Sequence, residues 1–143
     1  MGNIRIELKE SLITTFKKMV RMSDHNLAQF GLCGPEYGIL NQLGEEEELT
    51  LSELSDRTMR VNSHITALVD KMEVKGLVHR NRDEQDRRVI RVGLTETGKQ
   101  LKAKVIPNHH DFVAQRLSPM KDEDIQSLIK LLKDLELLCD RVL

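Results

Sequence analysis

The sequence predicts a mainly α-helical fold carrying one small β-hairpin. Three features point to it: an amphipathic stripe at each end of the chain, a capped pair of short helical segments in the middle, and two β-branched segments joined by a charged linker. Aromatic residues make up only 3% of the chain, with no Trp, while Leu, Ile, Val and Met recur throughout, which suits helix packing better than a sandwich or barrel. A length of 143 residues holds one compact domain, or a small domain plus helices that need a partner chain.

The first element is a helix over residues 7–30, where Leu8, Leu12, Phe16, Met19, Val20, Leu27 and Phe30 recur at helical spacings along one stripe. At the other end Ile125, Leu128, Ile129, Leu132, Leu135, Leu138 and Val142 form a matching stripe. Two long amphipathic ends on so short a chain predict that they pack together and with copies from a second subunit, a homodimer; a monomeric helical bundle is the alternative. Between them, Gly34-Pro35 opens a helix from Glu36 to Leu43 that Gly44 ends. Thr50 and Glu53 then form a capping box ahead of Leu51 and Leu54, for a helix to about Thr58. After a break near Met59 to Val61, Ile65, Leu68, Val69 and Met72 bury one face of a helix that stops at Gly76. The pair reads as helix, tight turn, helix.

Residues 77–80 (LVHR) and 89–94 (VIRVGL) are extended in character, with NRDEQDRR between them, and give a two-stranded hairpin with a charged tip. Ile90, Val92 and Leu94 alternate with Val89, Arg91 and Gly93, so the first set can face a core. A hairpin beside a helix-turn-helix makes a winged helix-turn-helix, flanked by dimerisation helices. The domain organisation that follows is a helical dimerisation region over residues 1–34 and 99–143, with the winged lobe over 35–98.

Charge narrows the function. The net charge is -1, yet residues 36–56 carry seven acids and no Lys or Arg, while residues 60–91 carry eight Lys or Arg against five acids. A basic segment inside a neutral chain is a candidate phosphate footprint, a solvated surface being the bland alternative. On the second short helix Ser63, Thr66, Ala67, Asp70 and Lys71 lie opposite the apolar stripe, with His64 on the flank. Small, hydrogen-bonding side chains there suit insertion into a major groove. Arg82, Arg87 and Arg88 concentrate at the hairpin tip and its base, and Asp86, two residues before Arg88, can hold that guanidinium in one orientation. A pre-oriented Arg on a protruding tip suits the narrow minor groove of double-stranded DNA; the competing reading is an ordinary surface ion pair.

Other classes are not indicated. The chain has no Gly-rich phosphate loop, no GxSxG elbow and no HExxH, so no catalytic residues and no cofactor are expected. Arg5, Glu7, Lys9 and Glu10 leave no secretory apolar stretch, no apolar run is long enough to span a bilayer, and Ile6 stands where a myristoylation signal wants Ser or Thr. A soluble, cytoplasmic protein without a membrane partner is expected. Cys33 and Cys139 form no CxxC pair and fit a reducing compartment.

The run GLVHRNRDEQDRRVIRVGLTETG, residues 76–98, resembles the signature of the MarR (multiple antibiotic resistance regulator) family, in which a DxR wing leads into a strand ending in LTxxG. SHITALVDKMEVKG resembles that family's recognition helix, and Pro107 falls where many members bend the long helix after the wing. The resemblance spans nearly the whole chain. It implies a triangular dimer reading a pseudo-palindrome in successive major grooves, with Arg88 in the role of the family's minor-groove arginine. It implies a transcription regulator, by preference a repressor. Val61 and Ala67 depart from the Ser N-cap and the Arg common in the family, so the helix is expected to start at Asn62 or Ser63, and base preferences do not carry over. The recognition-helix set is therefore Asn62, Ser63, His64, Thr66, Ala67 and Lys71, and the wing set Arg82, Asp86, Arg87 and Arg88.

Members of that family often bind small aromatic anions between the dimer helices and the lobe, and Phe16, Phe30, Tyr37, His109 and Phe112 are the candidates to line such a crevice, each equally able to be core. Some relatives sense peroxide through a cysteine, which here leaves Cys33 as an alternative switch. Zinc sensing would call on Cys33, Glu36, His109 and His110, but adjacent histidines on a helix point about 100° apart, and no metal site is expected. A helical interaction module that never touches DNA is the remaining alternative, and the arginine-rich wing speaks against it.

Overall fold

The computed structural model describes residues 2–141, so Val142 of the C-terminal stripe lies outside the described residues. The chain divides into two compact units, residues 1–110 and 111–143. In order, the elements are α1 (Ile4–Leu27), α2 (Gly34–Gln42), β1 (Leu49–Thr50), α3 (Leu51–Thr58), α4 (Asn62–Val74), β2 (Val78–Arg82), β3 (Ile90–Leu94), α5 (Glu96–Leu117) and α6 (Asp122–Asp140). The fold is mainly helical with a small antiparallel sheet, as the sequence predicts.

Asn3 caps α1 by accepting from the Arg5 amide, and a 3-10 turn over Ala28–Phe30 ends the helix at Gly31. Pro35 occupies the first turn of α2, whose N-terminus is fixed by the Gly34 amide donating to Asp24 Oδ1 at 2.6 Å. Thr50 Oγ1 accepts from the Glu53 amide at 3.0 Å and so starts α3.

Two helix ends shape the lobe. At the end of α4 Gly76 takes φ +75, and the Leu77 amide reaches back to Met72 O while the Gly76 amide reaches Glu73 O, both at 2.9 Å. This Schellman closure needs the left-handed region that glycine enters freely. The same closure joins α3 to α4, but there Met59 holds the left-handed position at φ 55. The break expected near Met59 to Val61 is that turn, and α4 begins at Asn62 behind Val61, which offers no side-chain cap.

The sheet has three strands in the order β1-β3-β2, all antiparallel, rather than the two of a bare hairpin. Val78 lies opposite Leu94 and Arg82 opposite Ile90, while Leu49 and Thr50 pair with Val92 and Arg91. The added strand ties the start of α3 to the wing. Val92 and Leu94 are buried as the alternation predicts, with Ile90 only half-buried at the wing end.

The core of the first unit is built from Leu27, Ile39, Leu40, Leu43, Leu54, Ile65, Val69, Met72, Val92 and Val105. Burying this apolar set is the main force holding the lobe, at about 1.5–3 kcal/mol per large side chain. Gly98 locks the sheet to α5: a methyl group there would lie 2.0 Å from the Leu77 carbonyl oxygen. That oxygen accepts from the Thr95 amide at 3.0 Å, and Thr95 Oγ1 in turn accepts from the Gly98 amide at 3.0 Å. The LTxxG run is thus a buried Leu94, a capping Thr95 and a glycine that admits a backbone contact. α5 runs through Pro107 as one helix.

The terminal stripes are not buried. In α1 only Leu27 is fully enclosed, whereas Ile4 is 71% and Phe16 67% exposed. In α6 no residue is fully buried, and Leu128, Ile129, Leu131, Leu137 and Leu138 are exposed.

Candidate nucleic-acid interface

The buried stripe Ile65, Leu68, Val69 and Met72 fixes the roll of α4, so that Asn62, Ser63, His64, Thr66, Ala67, Asp70 and Lys71 all face outward. The Thr66 hydroxyl donates to Asn62 O at 2.9 Å, leaving its oxygen as an acceptor on that face. Arg80 on β2 holds the middle of the helix, donating to Thr66 O at 3.3 Å and pairing with Asp70. Arg80 thus sets a positive charge against Asp70 on the outward face of α4.

The wing tip is ordered by its own polar groups. Asp83 Oδ1 accepts from the Gln85 amide, and Asp83 Oδ2 meets Arg91 Nη2 at 3.2 Å; the Gln85 amide first, then Arg91, hold the Asp83 carboxyl below the usual carboxylate range against the opposing effect of burial. Asp86 Oδ1 accepts from the Arg88 amide at 3.0 Å and from Arg88 Nε at 3.2 Å. The Arg88 side chain remains 92% exposed, so it is aimed but not covered. Arg82 is spent differently, donating to Arg87 O at 2.8 Å within the wing.

Between α4, the start of α3 and the wing base lies a cleft of about 460 Å³ lined by Ser52, Asn62, Thr66, Arg88 and Ile90, among others. It brings recognition-helix and wing residues onto one surface. Elsewhere in the first unit, a cavity of about 300 Å³ is lined by Phe16, Met19 and Val20 of α1, Pro35 and Tyr37 of α2, Arg60 and His109. His109 is buried, its Nδ1 lies 3.1 Å from Asn26 Nδ2, and its ring stands 4.7 Å from that of Tyr37. Burial, with the neighbouring charge of His110, pushes the His109 pKa down, and burial pushes the Tyr37 phenol up. Both groups are thus neutral near pH 7.

The MarR family model matches residues 34–90. Over 132 residues the chain is 30% identical to the HTH-type transcriptional repressor YetL of Bacillus subtilis (strain 168), a match covering 91% of this chain and 79% of YetL. The chain belongs to the MarR family. Among solved structures it is similar to AbsC, a MarR family transcriptional regulator from Streptomyces coelicolor, at 26% identity and TM-score 0.85 over 98% of this chain and 97% of AbsC. It is also similar to the transcriptional regulator BldR from Sulfolobus solfataricus, at 29% identity and TM-score 0.78 over 94% of this chain and 99% of BldR. As a MarR regulator the chain carries a DNA-binding winged helix and is not an enzyme.

Within this MarR chain, the cleft collects Asn62, Thr66 and Arg88 from the two predicted DNA-binding sets, while Ser63, His64, Ala67 and Lys71 share the exposed face of α4 and Arg82, Asp86 and Arg87 stand on the wing. The cavity collects Phe16, Tyr37 and His109 from the predicted crevice set. Phe30 packs against the core instead, because the 3-10 turn rotates it off the α1 stripe, and Phe112 lies in the second unit. Sequence reasoning missed Ser52, Arg60 and the Arg80–Asp70 pair. Ser52 was legible as a hydroxyl in the first turn after the Thr50 cap; a pair ten residues apart across two elements carries no local signal.

Cys33 stands at the N-terminus of α2, half-buried. Burial pushes its thiol up, the Glu36 carboxylate adds to this, and a backbone hydrogen bond and Lys71 only partly offset it, whereas peroxide chemistry needs the thiolate. Glu36 is buried and committed, accepting from Lys75 Nζ at 2.7 Å and from the Cys33 amide at 3.2 Å. Among the described residues no group of three or more His, Cys, Asp or Glu is placed to hold a metal ion, and no helix is long and apolar enough to cross a membrane.

Proposed function

We propose that this protein is a repressor that binds a pseudo-palindromic operator as a homodimer and is released by a small aromatic or anionic ligand. One observation carries the DNA-reading geometry: Asn62, Thr66 and an exposed Arg88 held by Asp86 line a single cleft. α4 enters the major groove with Asn62, Ser63, His64, Thr66, Ala67 and Lys71 toward base edges and phosphates, and the wing places Arg88 in the adjacent minor groove. Arg82 and Arg87 strengthen the positive potential of the tip.

The exposed apolar rows of α1 and α6 support the dimer, since monomers rarely leave such rows in water. Residues 1–34 and 99–143 form the dimerisation region in this reading, and 35–98 the lobe. Two lobes related by a two-fold axis read half-sites about one helical turn apart. The name of YetL as a repressor supports the same role here. The cavity between α1, α2 and His109 takes the ligand, its apolar walls suiting an aromatic ring and Arg60 an anionic group.

Sedimentation with a duplex selected from a random pool tests the arrangement. Two chains per duplex, with protection of two segments about one turn apart, is the expected result. One chain per duplex would refute the dimeric reading.

A further inference from the structure

The outward face of α4 is short of the groups that read guanine or cytosine. The helix contains no Arg, the side chain whose paired donors fit guanine O6 and N7. Asp70, whose carboxylate would suit the cytosine amino group, is paired with Arg80. Lys71 stands a full turn beyond Ala67, whereas the N-terminal residues of a recognition helix are the ones that reach base edges. His64 lies on the flank, its Nδ1 3.5 Å from Arg60 Nη1. The first two turns therefore present two neighbouring rows to water, Asn62 with Thr66 and Ser63 with Ala67, all four exposed.

We propose that α4 reads A·T pairs through thymine methyl groups, with Ala67 and the methyl of Thr66 packed on them and Asn62 bonded to a neighbouring adenine. The proposal rests on the reading of α4 as the helix in the major groove. The Thr66 hydroxyl spends its hydrogen on Asn62 O at 2.9 Å, so toward a base this side chain offers a methyl group and an acceptor but no donor. An acceptor fails on guanine, whose major-groove edge carries two acceptors, and suits the amino group of adenine or cytosine. The methyl decides between those two, because an A·T pair alone offers an amino group and a methyl together.

The neighbouring residues ask for the same pairs. Ala67 is a single methyl group with no polar atom, so it makes no hydrogen bond to a base edge and gains only from apolar contact. Asn62 lines the cleft, and among the described residues nothing is hydrogen-bonded to its side-chain amide, whose donor and acceptor match adenine N7 and N6. A·T-rich DNA also has the narrow minor groove that suits Arg88 on the wing. Each methyl taken out of water on docking is worth a factor of about four in affinity.

The test uses the full chain and a duplex that it selects from a random pool, against the same duplex with deoxyuridine replacing thymine one position at a time. Deoxyuridine keeps every hydrogen-bonding group of thymine and lacks only the methyl. Fluorescence anisotropy reads affinity, and thermal melting confirms that each variant folds. A·T pairs are expected in the protected half-sites, with thymines whose replacement weakens wild-type binding about fourfold each. Ala67→Gly should erase that loss at one position and Thr66→Ser, which keeps the hydroxyl, at another, while Arg88→Ala should leave both losses in place. If the duplex is bound selectively but deoxyuridine costs nothing at any position, methyl reading is overturned while the regulator reading stands. A loss of equal size in wild type, Ala67→Gly and Thr66→Ser would come from the DNA alone and overturns it as well. If no duplex is selected over a scrambled one, base reading by α4 falls, and the proposal with it.

Discussion

Replacing Gly98 with alanine destabilises the lobe, although alanine is the better helix former. The added methyl carbon would stand 2.0 Å from the Leu77 carbonyl oxygen, and to reach even the 3.0 Å limit of real contacts the two backbones must part by about 1 Å. That separation breaks the Thr95-to-Leu77 hydrogen bond, a loss of about 1 kcal/mol. Displacing the packed neighbours Leu77 and Leu94 adds about 1–3 kcal/mol, and removing a glycine from a helix returns up to about 1 kcal/mol. The net is a loss of about 1–4 kcal/mol, which at about 2–4 °C per kcal/mol lowers the melting temperature by several degrees. Gly38 in α2 is the control, because nothing lies within 4 Å of a methyl group there, so Gly38→Ala gains about 0.5–1 kcal/mol. Thermal melting followed by circular dichroism reads both variants. A Gly98→Ala protein that melts at or above the wild-type temperature would refute the claim that the last residue of LTxxG is set by contact with Leu77.

Arg88→Ala should leave melting unchanged, since the side chain is 92% exposed, yet weaken duplex binding about tenfold or more and lower the salt slope by about one unit; an unchanged slope would remove Arg88 from the interface. Thr66→Ala, and likewise Ser63→Ala, should change which duplexes are selected from a random pool, whereas a uniform loss across all sequences would argue against base reading by α4. Glu36 is pushed up by burial, but the Lys75 ammonium and the Cys33 hydrogen bonds reverse this and hold its carboxyl below the ordinary 4.5. Its contribution is then complete above pH 4.5 and is lost as pH falls through the lowered value, so Glu36→Gln should cost about 1–3 kcal/mol at pH 7, discounted for the wet Lys75 head, and progressively less below pH 4.5. Urea titrations of both proteins across that range check it, and a pH-independent difference would contradict the pairing.

Local rules carried the sequence reading a long way. The capping Thr50, the break at Met59 and the Asp86–Arg88 contact each depend on residues within a few positions of one another, and each stands where the spacing puts it, while α4 starts at Asn62, one of the two positions left open by the departure of Val61 from the family's Ser cap. β1 escaped because two residues have no periodicity, and it exists only through its pairing with Val92 and Arg91. The clamp of Arg80 on α4 escaped for the same reason: its geometry depends on how β2 crosses the helix. The cavity was half legible. Phe16, Tyr37 and His109 are named by the resemblance to the family, but Arg60 lies in a turn whose direction is set by a left-handed Met59, which no composition rule supplies. The exposed stripes of α1 and α6 show the limit of burial reasoning from one chain, since an apolar face reads alike whether its cover is intramolecular or a partner.

The most direct test of the account is fluorescence anisotropy of the wild-type protein on a duplex from upstream of its own gene, against a scrambled duplex, at two salt concentrations. Selective binding that weakens steeply with salt is the predicted result, because in the proposed function α4 reads bases while the wing and helix cations release counterions. Equal affinity for both duplexes, with that DNA and with duplexes selected from a random pool, would contradict sequence-specific reading by the cleft of Asn62, Thr66 and Arg88.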